Sequence, residues 1–390
     1  MRIAIFTDTF FPDVNGVART LKRLCDHLDD RSISYRLFAP KTSRDETTAA
    51  IHRSKSISAP FYPECKIALP NLWSIKKELE EFQPDLIHVA TPLTIGATGL
   101  YLGKKLQIPL VASYHTNFDL YLRYYKLGFL SKFLWKYMRW FHQDYLQIYV
   151  PSSSTQEQLL DKGFTNIDIL THGVDCQQFK PTYHRDTVVN RYGITAPYIL
   201  SYVGRLAAEK DLDVLFKASK LIPRQLNEHI HWLIVGEGPL SSELKVAAKM
   251  NMTFTGYLHG SDLAQVYAAS DLFVFPSSTE TFGNVVLEAM ASATPVIGAN
   301  AGGVAEIIEH EKTGLLCKPH DPEAFKEAII RLLENEGKRK IMGENALKYA
   351  RSQSWEHIFD ELLISYQRNI EAYHETGKSS FLQVKTESNV

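Results

Sequence analysis

Two carboxylates, Glu280 and Glu288, stand eight residues apart across Phe282-Gly283-Asn284, and two permanent cations, Arg205 and Lys210, stand five apart in Gly204-Arg-Leu-Ala-Ala-Glu-Lys210-Asp. Cations so spaced suit a diphosphate. Arginine supplies a planar fork and lysine a compact point charge, and together they neutralise a leaving group that gains negative charge. The carboxylates suit hydroxyls: Glu280, in a loop, would accept from one part of a ligand, and Glu288, about a turn into a helix, from a second. The N–H groups of residues 282–285 point out of that helix start, and the helix dipole adds roughly half a positive charge there, which favours an anion. Each motif has a plainer alternative: a capped helix with two solvated glutamates, and a loop in which Glu209 pairs Lys210.

Other residues are weaker signals. Ser113-Tyr-His115-Thr-Asn117 places an imidazole beside hydroxyl and amide groups at a strand end, where it would meet a sugar hydroxyl, although a lone histidine is more often structural. Asn15-Gly16-Val17 follows the first strand; its glycine would let backbone approach a ligand, and a plain strand-to-helix turn would serve equally. Tyr121 to His142 is rich in aromatic and basic residues. On one helix, Lys132, Lys136 and Arg139 share a stripe, and Leu130, Phe133, Leu134, Tyr137, Met138 and Phe141 share another. Such a helix would lie on an anionic membrane, with Trp135 and Trp140 among its contacts, or pack on the core with a solvated basic face. Asp211-Leu-Asp213 has the spacing of a metal-binding pair but falls where a helix should begin, and reads as helix-start chemistry. No G-x-x-x-x-G-K-[ST], H-E-x-x-H or G-x-S-x-G occurs, and Gly236-Glu-Gly238-Pro does not complete G-x-G-x-x-G.

The elements that must hold these residues alternate along the chain. Short apolar runs, Ile3-Phe6, Tyr35-Ala39, Leu86-Val89, Leu110-Tyr114, Ile148-Val150 and Ile167-Leu170, are separated by longer amphipathic stretches. After a polar segment from Pro181 to Pro197 the alternation resumes with Tyr198-Val203, His231-Val235, Met252-Thr255, Leu272-Phe275 and Thr294-Ile297. That is βαβ patterning in two blocks. The expected fold is therefore α/β, with parallel-sheet domains over residues 1–186 and 187–354 hinged near 181–196. A helix within 355–375 and a disordered tail, 376–390, would follow. Ligands of open α/β sheets sit beyond the carboxyl ends of the strands, so the first rim is Thr7, Asp8, Gly16, Thr91 and His115. Gly204-Arg205, Gly236–Gly238, Gly256-Tyr257 and the 276–288 run form a second rim across a cleft.

Bulk properties exclude several classes. At 390 residues the chain is too long for one ordinary core, and its 45 % hydrophobic and 22 % charged content is that of a globular protein. No apolar run approaches the roughly 18 residues that span a bilayer, and Met1-Arg-Ile-Ala-Ile-Phe-Thr-Asp does not read as a signal peptide, so a cytoplasmic protein is expected. Cys25, Cys65, Cys176 and Cys317 lie far apart, which indicates neither a disulfide framework nor a zinc site. A net charge of −1 argues against nucleic acid as a partner. Residues 1–186 nonetheless carry 23 Lys and Arg against 19 Asp and Glu, and the remainder 20 against 25, so the first half is the more basic.

Together these residues resemble the family-4 retaining glycosyltransferases over nearly the whole chain. The most specific element is Glu280-x7-Glu288 with Phe282-Gly283-Asn284 between, supported by Gly204-Arg205…Glu209-Lys210, Val235-Gly-Glu-Gly-Pro239 and His172-Gly-Val-Asp175. The opening Phe6-Thr-Asp-Thr-Phe-Phe-Pro-Asp-Val-Asn-Gly16-Val17 and Tyr114-His115-Thr116 are similar to the branch of GDP-mannose-dependent α-mannosyltransferases and sulfoquinovosyl-diacylglycerol synthases, which spans lipid and soluble acceptors. The resemblance implies a GT-B fold, two Rossmann-like domains with a last helix crossing back onto the first. It implies that Arg205 and Lys210, after Gly204, hold the donor diphosphate, with Gly16 lining it from the N-terminal side, and that Glu288 holds the ribose. Glu280 and the backbone of Phe282, Gly283 and Asn284 would hold the hexose, and His115 would touch it near the anomeric carbon. No bound metal or other cofactor is implied beyond the nucleotide sugar itself. The sequence departs from the family at Asn15, where many members have glycine, at Asp211, where glycine often follows the lysine, and at Thr171-His172, where Pro-Asn is common.

The expected activity is transfer of a hexose, mannose favoured, to a hydroxyl acceptor at a membrane surface, with retention. Each key donor to the leaving group would be worth about 3 to 4 kcal/mol. A UDP-glucose or other UDP-hexose donor with a soluble acceptor is the alternative. From other classes come a non-catalytic nucleotide-sugar sensor, which donor hydrolysis would exclude, and a sugar epimerase, which would act on donor alone.

Overall fold

The computed structural model describes residues 1–375 except 14, 43–48, 60–61, 118, 120–121, 123–126 and 249; the tail expected at 376–390 lies outside the described residues. In the first half β1 (Arg2–Phe6), β2 (Ser34–Pro40), β3 (Ile51–Ser54), β6 (Leu86–Val89), β7 (Leu110–Ser113), β8 (Gln147–Val150) and β9 (Ile167–Ile169) form one parallel sheet in the order β3-β2-β1-β6-β7-β8-β9. β4 (Ser56–Ala59) and β5 (Tyr62–Ala68) pair as an antiparallel hairpin beside it. The second sheet runs β12-β11-β10-β13-β14-β15, all parallel, from β10 (Tyr198–Val203), β11 (Ile230–Val235), β12 (Met252–Gly256), β13 (Leu272–Phe275), β14 (Val296–Ala299) and β15 (Gly314–Cys317). Both orders reverse direction once, between β1 and β6 and between β10 and β13. Such reversals open a crevice above the sheet where ligands bind.

Alternation along β1 shows how the first sheet is covered. Ala4 and Phe6 pack one face with Phe38, Ile87, Leu100 and Phe141, while Ile3 and Ile5 pack the other with Leu21, Leu24 and Leu28 of the helix Gly16–Asp30. The second face is completed by Phe359, Leu362, Tyr366 and Ile370 of the helix Trp355–Glu375, so the end of the chain is built into the first core. A buried polar chain fixes that helix: Tyr366 Oη lies 2.6 Å from His88 Nδ1, whose Nε2 lies 2.7 Å from Ser113 Oγ. Burial pushes His88 down to about 3, so the ring is neutral and can donate from one nitrogen while accepting at the other.

The chain passes between sheets twice, side by side. Val174 donates to Gln353 O at 3.0 Å and bridges Ser354, and a Cβ on Gly173 would sit 2.5 Å from Trp355 N. Gly173→Ala is therefore expected to cost about 1–3 kcal/mol, read as a fall in Tm, because the nearest atoms are Trp355 backbone, which cannot swing aside as a flexible side chain could.

The polar segment expected as a hinge near 181–196 contains a helix. Arg185–Tyr192 is a helix packed on the helix Gly260–Ala269, with Arg185 donating to Ala269 O, Pro197 O and Asp271. The narrow crossing is at residues 172–175 and 353–355. The expected helix over 121–142 is also shorter: a 3-10 turn, Gly128–Leu130, leads into Ser131–His142, and residues 121 and 123–126 lie outside the described residues.

Candidate active site

The loops after β10 and β13 flank the reversal point of the second sheet, and they carry the two cations and one of the two glutamates. Lys210 Nζ sits 2.5 Å from Glu280 Oε1, and Arg205 Nη1 sits 3.5 Å from Glu209 Oε1, with all four side chains largely withdrawn from solvent. Of the plainer alternatives, the salt-bridged loop is thus realised with different partners. Glu209 faces Arg205, and Lys210 reaches across to the Glu280 loop. The two loops are laced further: Asp211 accepts from Ser278 N at 3.0 Å and from its Oγ at 2.7 Å, and Thr279 Oγ1 donates to Glu209 O at 2.9 Å. Asp211 therefore does not begin a helix by capping it. Its φ is 50°, and its carboxylate braces the loop that presents Glu280; Asp213 pairs Lys217 on the surface. The left-handed φ is one that glycine adopts more readily than aspartate, which accounts for the expectation of glycine at this position.

Glycines let these loops lie against their neighbours. A Cβ on Gly236 would sit 1.9 Å from Gly204 O at a φ of 131°, and one on Gly238 would sit 2.4 Å from Leu206 O. Leu206 also donates to Glu237 O, so Val235–Pro239 is a bed for the Arg205 loop. Gly303 does the same for the other loop, donating to Glu280 O at 2.9 Å where a Cβ would meet Phe282 Cα at 2.5 Å.

Gly283, at φ 109°, opens the helix Asn284–Ala291. Across the cleft stands the start of the helix Gly16–Asp30, where a Cβ on Gly16 would lie 3.6 Å from Asn284 Nδ2. Asn15 has an extended backbone at φ −147° and caps that helix through Ala18 N, so no left-handed residue is needed there. Two helix starts, one from each half, thus face one another. Asp8 and Thr91, placed on the first rim by sequence, are committed elsewhere. Asp8 accepts from Ile95 N, Leu93 N and Thr91 Oγ1 at the start of the helix Thr94–Leu106, where its burial raises its pKa against those bonds.

His115 also reaches this cleft. Thr281 Oγ1 donates to His115 O at 2.8 Å, and His115 Nδ1 is buried with no hydrogen-bond partner among the described residues. Its ring stands 5.8 Å from that of His172, whose Nδ1 lies 2.8 Å from Asn284 Oδ1 and whose ring lies among Phe282 and Trp355. Burial holds His115 well below the ordinary range and His172 near 4, so both are neutral imidazoles at pH 7. His172 was visible in sequence as part of His172-Gly-Val-Asp175 and as a departure from Pro-Asn, but its place beside Asn284 was not.

Glu288 is almost enclosed. Tyr267 Oη donates to its Oε2 at 2.9 Å, and Arg19 Nη1, from the other half of the molecule, stands 3.9 Å from its Oε1. Burial raises its pKa, and the charge of Arg19 opposes the rise. Neither Tyr267 nor Arg19 belongs to a motif. A further contact spans the cleft rim: Glu306 accepts from Ser153 N and Ser154 N, both at 2.7 Å, at the start of the helix Ser153–Asp161. Burial disfavours its charge, but the amides and hydroxyls of Ser153 and Ser154 together outweigh it and hold the carboxyl below the usual range.

The aromatic and basic helix departs from its expected faces. Trp135, expected among the membrane contacts, is buried against Phe164 with Met138 and Phe141, whereas Phe133, expected on the packed stripe, is 74 % exposed. Trp140 is exposed, as are Lys132, Lys136 and Arg139. The buried stripe falls at 135, 138 and 141–142 because Trp135 fills the space under Phe164 and Lys162. Among the described residues no group of three or more His, Cys, Asp or Glu could hold a metal ion, and no helix is long and apolar enough to cross a membrane.

The family described as Glycosyl transferases group 1 matches residues 185–349, and that described as Glycosyltransferase Family 4 matches residues 14–178. A GDP-mannose-dependent alpha-mannosyltransferase of Mycobacterium tuberculosis is 30 % identical over 94 % of this chain and 96 % of its own. The chain belongs to the family 4 glycosyltransferases. This glycosyltransferase is also 33 % identical to the sulfoquinovosyl transferase SQD2 of Arabidopsis thaliana, over 79 % of this chain and 61 % of that one. With the alpha-monoglucosyldiacylglycerol synthase of Streptococcus pneumoniae it shares 27 % identity over 85 % of this chain and 78 % of the relative. Its fold is that of the sucrose-phosphate synthase of Thermosynechococcus elongatus, which superposes with a TM-score of 0.79 at 21 % identity over 95 % of this chain and all of that one.

Proposed function

We propose that this glycosyltransferase moves mannose from GDP-mannose to a hydroxyl of a membrane glycolipid, with retention at the anomeric carbon and without a bound metal. The observation that carries the reading is that the loops at the reversal point of the second sheet carry Arg205, Lys210 and Glu280, with Lys210 2.5 Å from Glu280, while the helix start at Gly16 meets Asn284 four residues beyond that glutamate. A diphosphate placed there meets two fixed cations and the free N–H groups of two helix starts, so it needs no divalent ion for charge neutralisation. Glu288 would take the ribose diol. Glu280 and the 282–284 backbone would take the hexose, and His115, neutral and buried, would offer one ring nitrogen to a sugar hydroxyl near the anomeric carbon.

In the transfer, the bond from the anomeric carbon to the phosphate oxygen breaks with its electron pair leaving on the diphosphate. The acceptor oxygen bonds to the same face of that carbon, and its proton passes to the departing phosphate oxygen. Glu280 is tied to Lys210, which suits a binding role better than that of a nucleophile. The main contribution is electrostatic: Arg205 and Lys210 meet charge that develops only as the bond breaks.

The relatives named for GDP-mannose favour mannose, and the one named for a diacylglycerol product favours a lipid acceptor. Exposed Phe129, Phe133 and Trp140 beside Lys132, Lys136 and Arg139 add a surface suited to an anionic bilayer. Neutralising all three cations is expected to lower partition onto anionic vesicles roughly 100-fold at low salt, since each is worth about 1 kcal/mol near such a surface. Equal sedimentation of wild type and variant with the vesicles contradicts this. The donor is tested by thermal-shift titration with GDP and UDP, followed by a screen of donors against lipid and soluble acceptors. Stabilisation by GDP and transfer from GDP-mannose to lipid are expected. Selective use of a UDP-hexose on a soluble acceptor overturns the assignment.

A further inference from the structure

Glu288 lies in the second half, on the helix Asn284–Ala291, yet both cations that act on it, Arg19 and Arg23, come from the helix Gly16–Asp30 of the first half. Its own half supplies the Tyr267 hydroxyl, which donates to Oε2 and leaves Oε1 facing Arg19 at 3.9 Å. Arg23 is anchored at the crossing, 3.6 Å from Asp175 and over the Trp355 ring at 5.9 Å. Arg19, one turn earlier, reaches Glu288 of the other half, and its side chain is 43 % exposed where that of Glu288 is 12 %. An ion pair of this kind exists only while the two halves are together.

We propose that Arg19 is a positioning residue for Glu288, through which the first half of the molecule takes part in gripping the nucleoside ribose without touching it. The proposal rests on the reading of Glu288 as the ribose acceptor. A carboxylate binds a diol best when ionised and held still. Burial works against ionisation, Tyr267 orients one oxygen, and Arg19 steadies the other while supplying the opposing charge. Ribose affinity and closure of the cleft are then coupled, each strengthening the other.

The sign of the pH dependence follows from the groups around Glu288, which are Arg19 and Arg23 on one side and Tyr267 on the other. A carboxyl whose pKa is raised by burial loses its charge as pH falls. Removing Arg19 raises the pKa further, so nucleotide affinity should begin to fall at a higher pH in Arg19→Gln than in wild type.

The test is calorimetric binding of GDP and of 2′,3′-dideoxy-GDP to wild type, Arg19→Gln, Arg19→Lys and Glu288→Gln, with UDP and its dideoxy form used if the protein takes uridine. Arg19→Gln should weaken GDP about 10-fold, at the lower end of couplings between sites, and leave dideoxy-GDP unchanged; Arg19→Lys should recover most of the loss. Equal weakening of both ligands would mean that Arg19 acts on the diphosphate, and an unchanged GDP affinity that it does not act at all; either overturns the proposal. Failure of the underlying reading looks different: Glu288→Gln would then bind GDP and dideoxy-GDP in the wild-type ratio.

Discussion

Arg205→Ala is expected to lower kcat/KM about 10²- to 10³-fold, the loss typical of removing one preorganised donor to developing charge. The fall should lie mainly in kcat, because the guanidinium meets more negative charge as the sugar–phosphate bond breaks than in the bound donor. The structure adds a second consequence. Glu209 is 1 % exposed and faces Arg205, so alanine removes a cation from beside a buried carboxylate and some loss of Tm should accompany the loss of rate. Arg205→Lys separates the two effects. It keeps a charge near Glu209 and should restore most of the stability, but lysine cannot reproduce the planar fork, so turnover should recover only in part. Near-normal turnover in a folded Arg205→Ala protein contradicts the proposed role of the cation pair.

Glu280→Gln gives the second large effect, and its pattern is more informative than its size. Glutamine keeps the shape but loses the charge that pairs with Lys210 and accepts from the hexose. Transfer should fall roughly 10- to 100-fold, what a hydrogen bond to a charged group is worth. GDP affinity should not fall, and a rise is consistent, since Lys210 is then released from its 2.5 Å contact to face the diphosphate alone. Lys210→Met should instead weaken GDP and transfer together. If Glu280→Gln weakened GDP as much as Lys210→Met does, Glu280 would belong to the nucleotide and not to the sugar.

The parts of the molecule that were legible in sequence are those governed by short-range pattern. Leu86-Val89, Tyr198-Val203 and Leu272-Phe275 occur as strands at the expected limits, because buried parallel strands are continuous apolar runs. Arg205, Lys210 and Glu280 fall on loops beyond those strands, and Glu288 on the helix that follows, for the same topological reason. Ile51–Ser54, Tyr62–Ala68 and Gly314–Cys317 were not legible: they are edge or hairpin strands, the first two of mixed composition and the last a run of only four residues. The helix at Arg185–Tyr192 was hidden by flanking prolines and a polar sequence.

The cleft was legible in its charges and illegible in its pairings. Sequence places Lys210 beside Glu209, but a 3-10 turn over Ala208–Lys210 and the left-handed Asp211 swing it to Glu280, 70 positions away. Arg19, Tyr267 and Glu306 carried no signal, since their partners lie in other segments and only the juxtaposition of two sheets makes them meaningful. Trp135 and Phe133 exchanged places for a similar reason. Which stripe of an all-round aromatic helix is buried depends on Phe164, which the helical period alone does not contain.

The central claim is that the acceptor oxygen ends on the face of the anomeric carbon that the diphosphate leaves, so that transfer proceeds with retention. The most direct measurement is the anomeric configuration of the first product, followed by proton NMR while GDP-mannose is being consumed in the presence of an acceptor. The account predicts an α-linked product from the α-linked donor from the earliest spectra onward. A β-linked product would require attack from the opposite face and would contradict it.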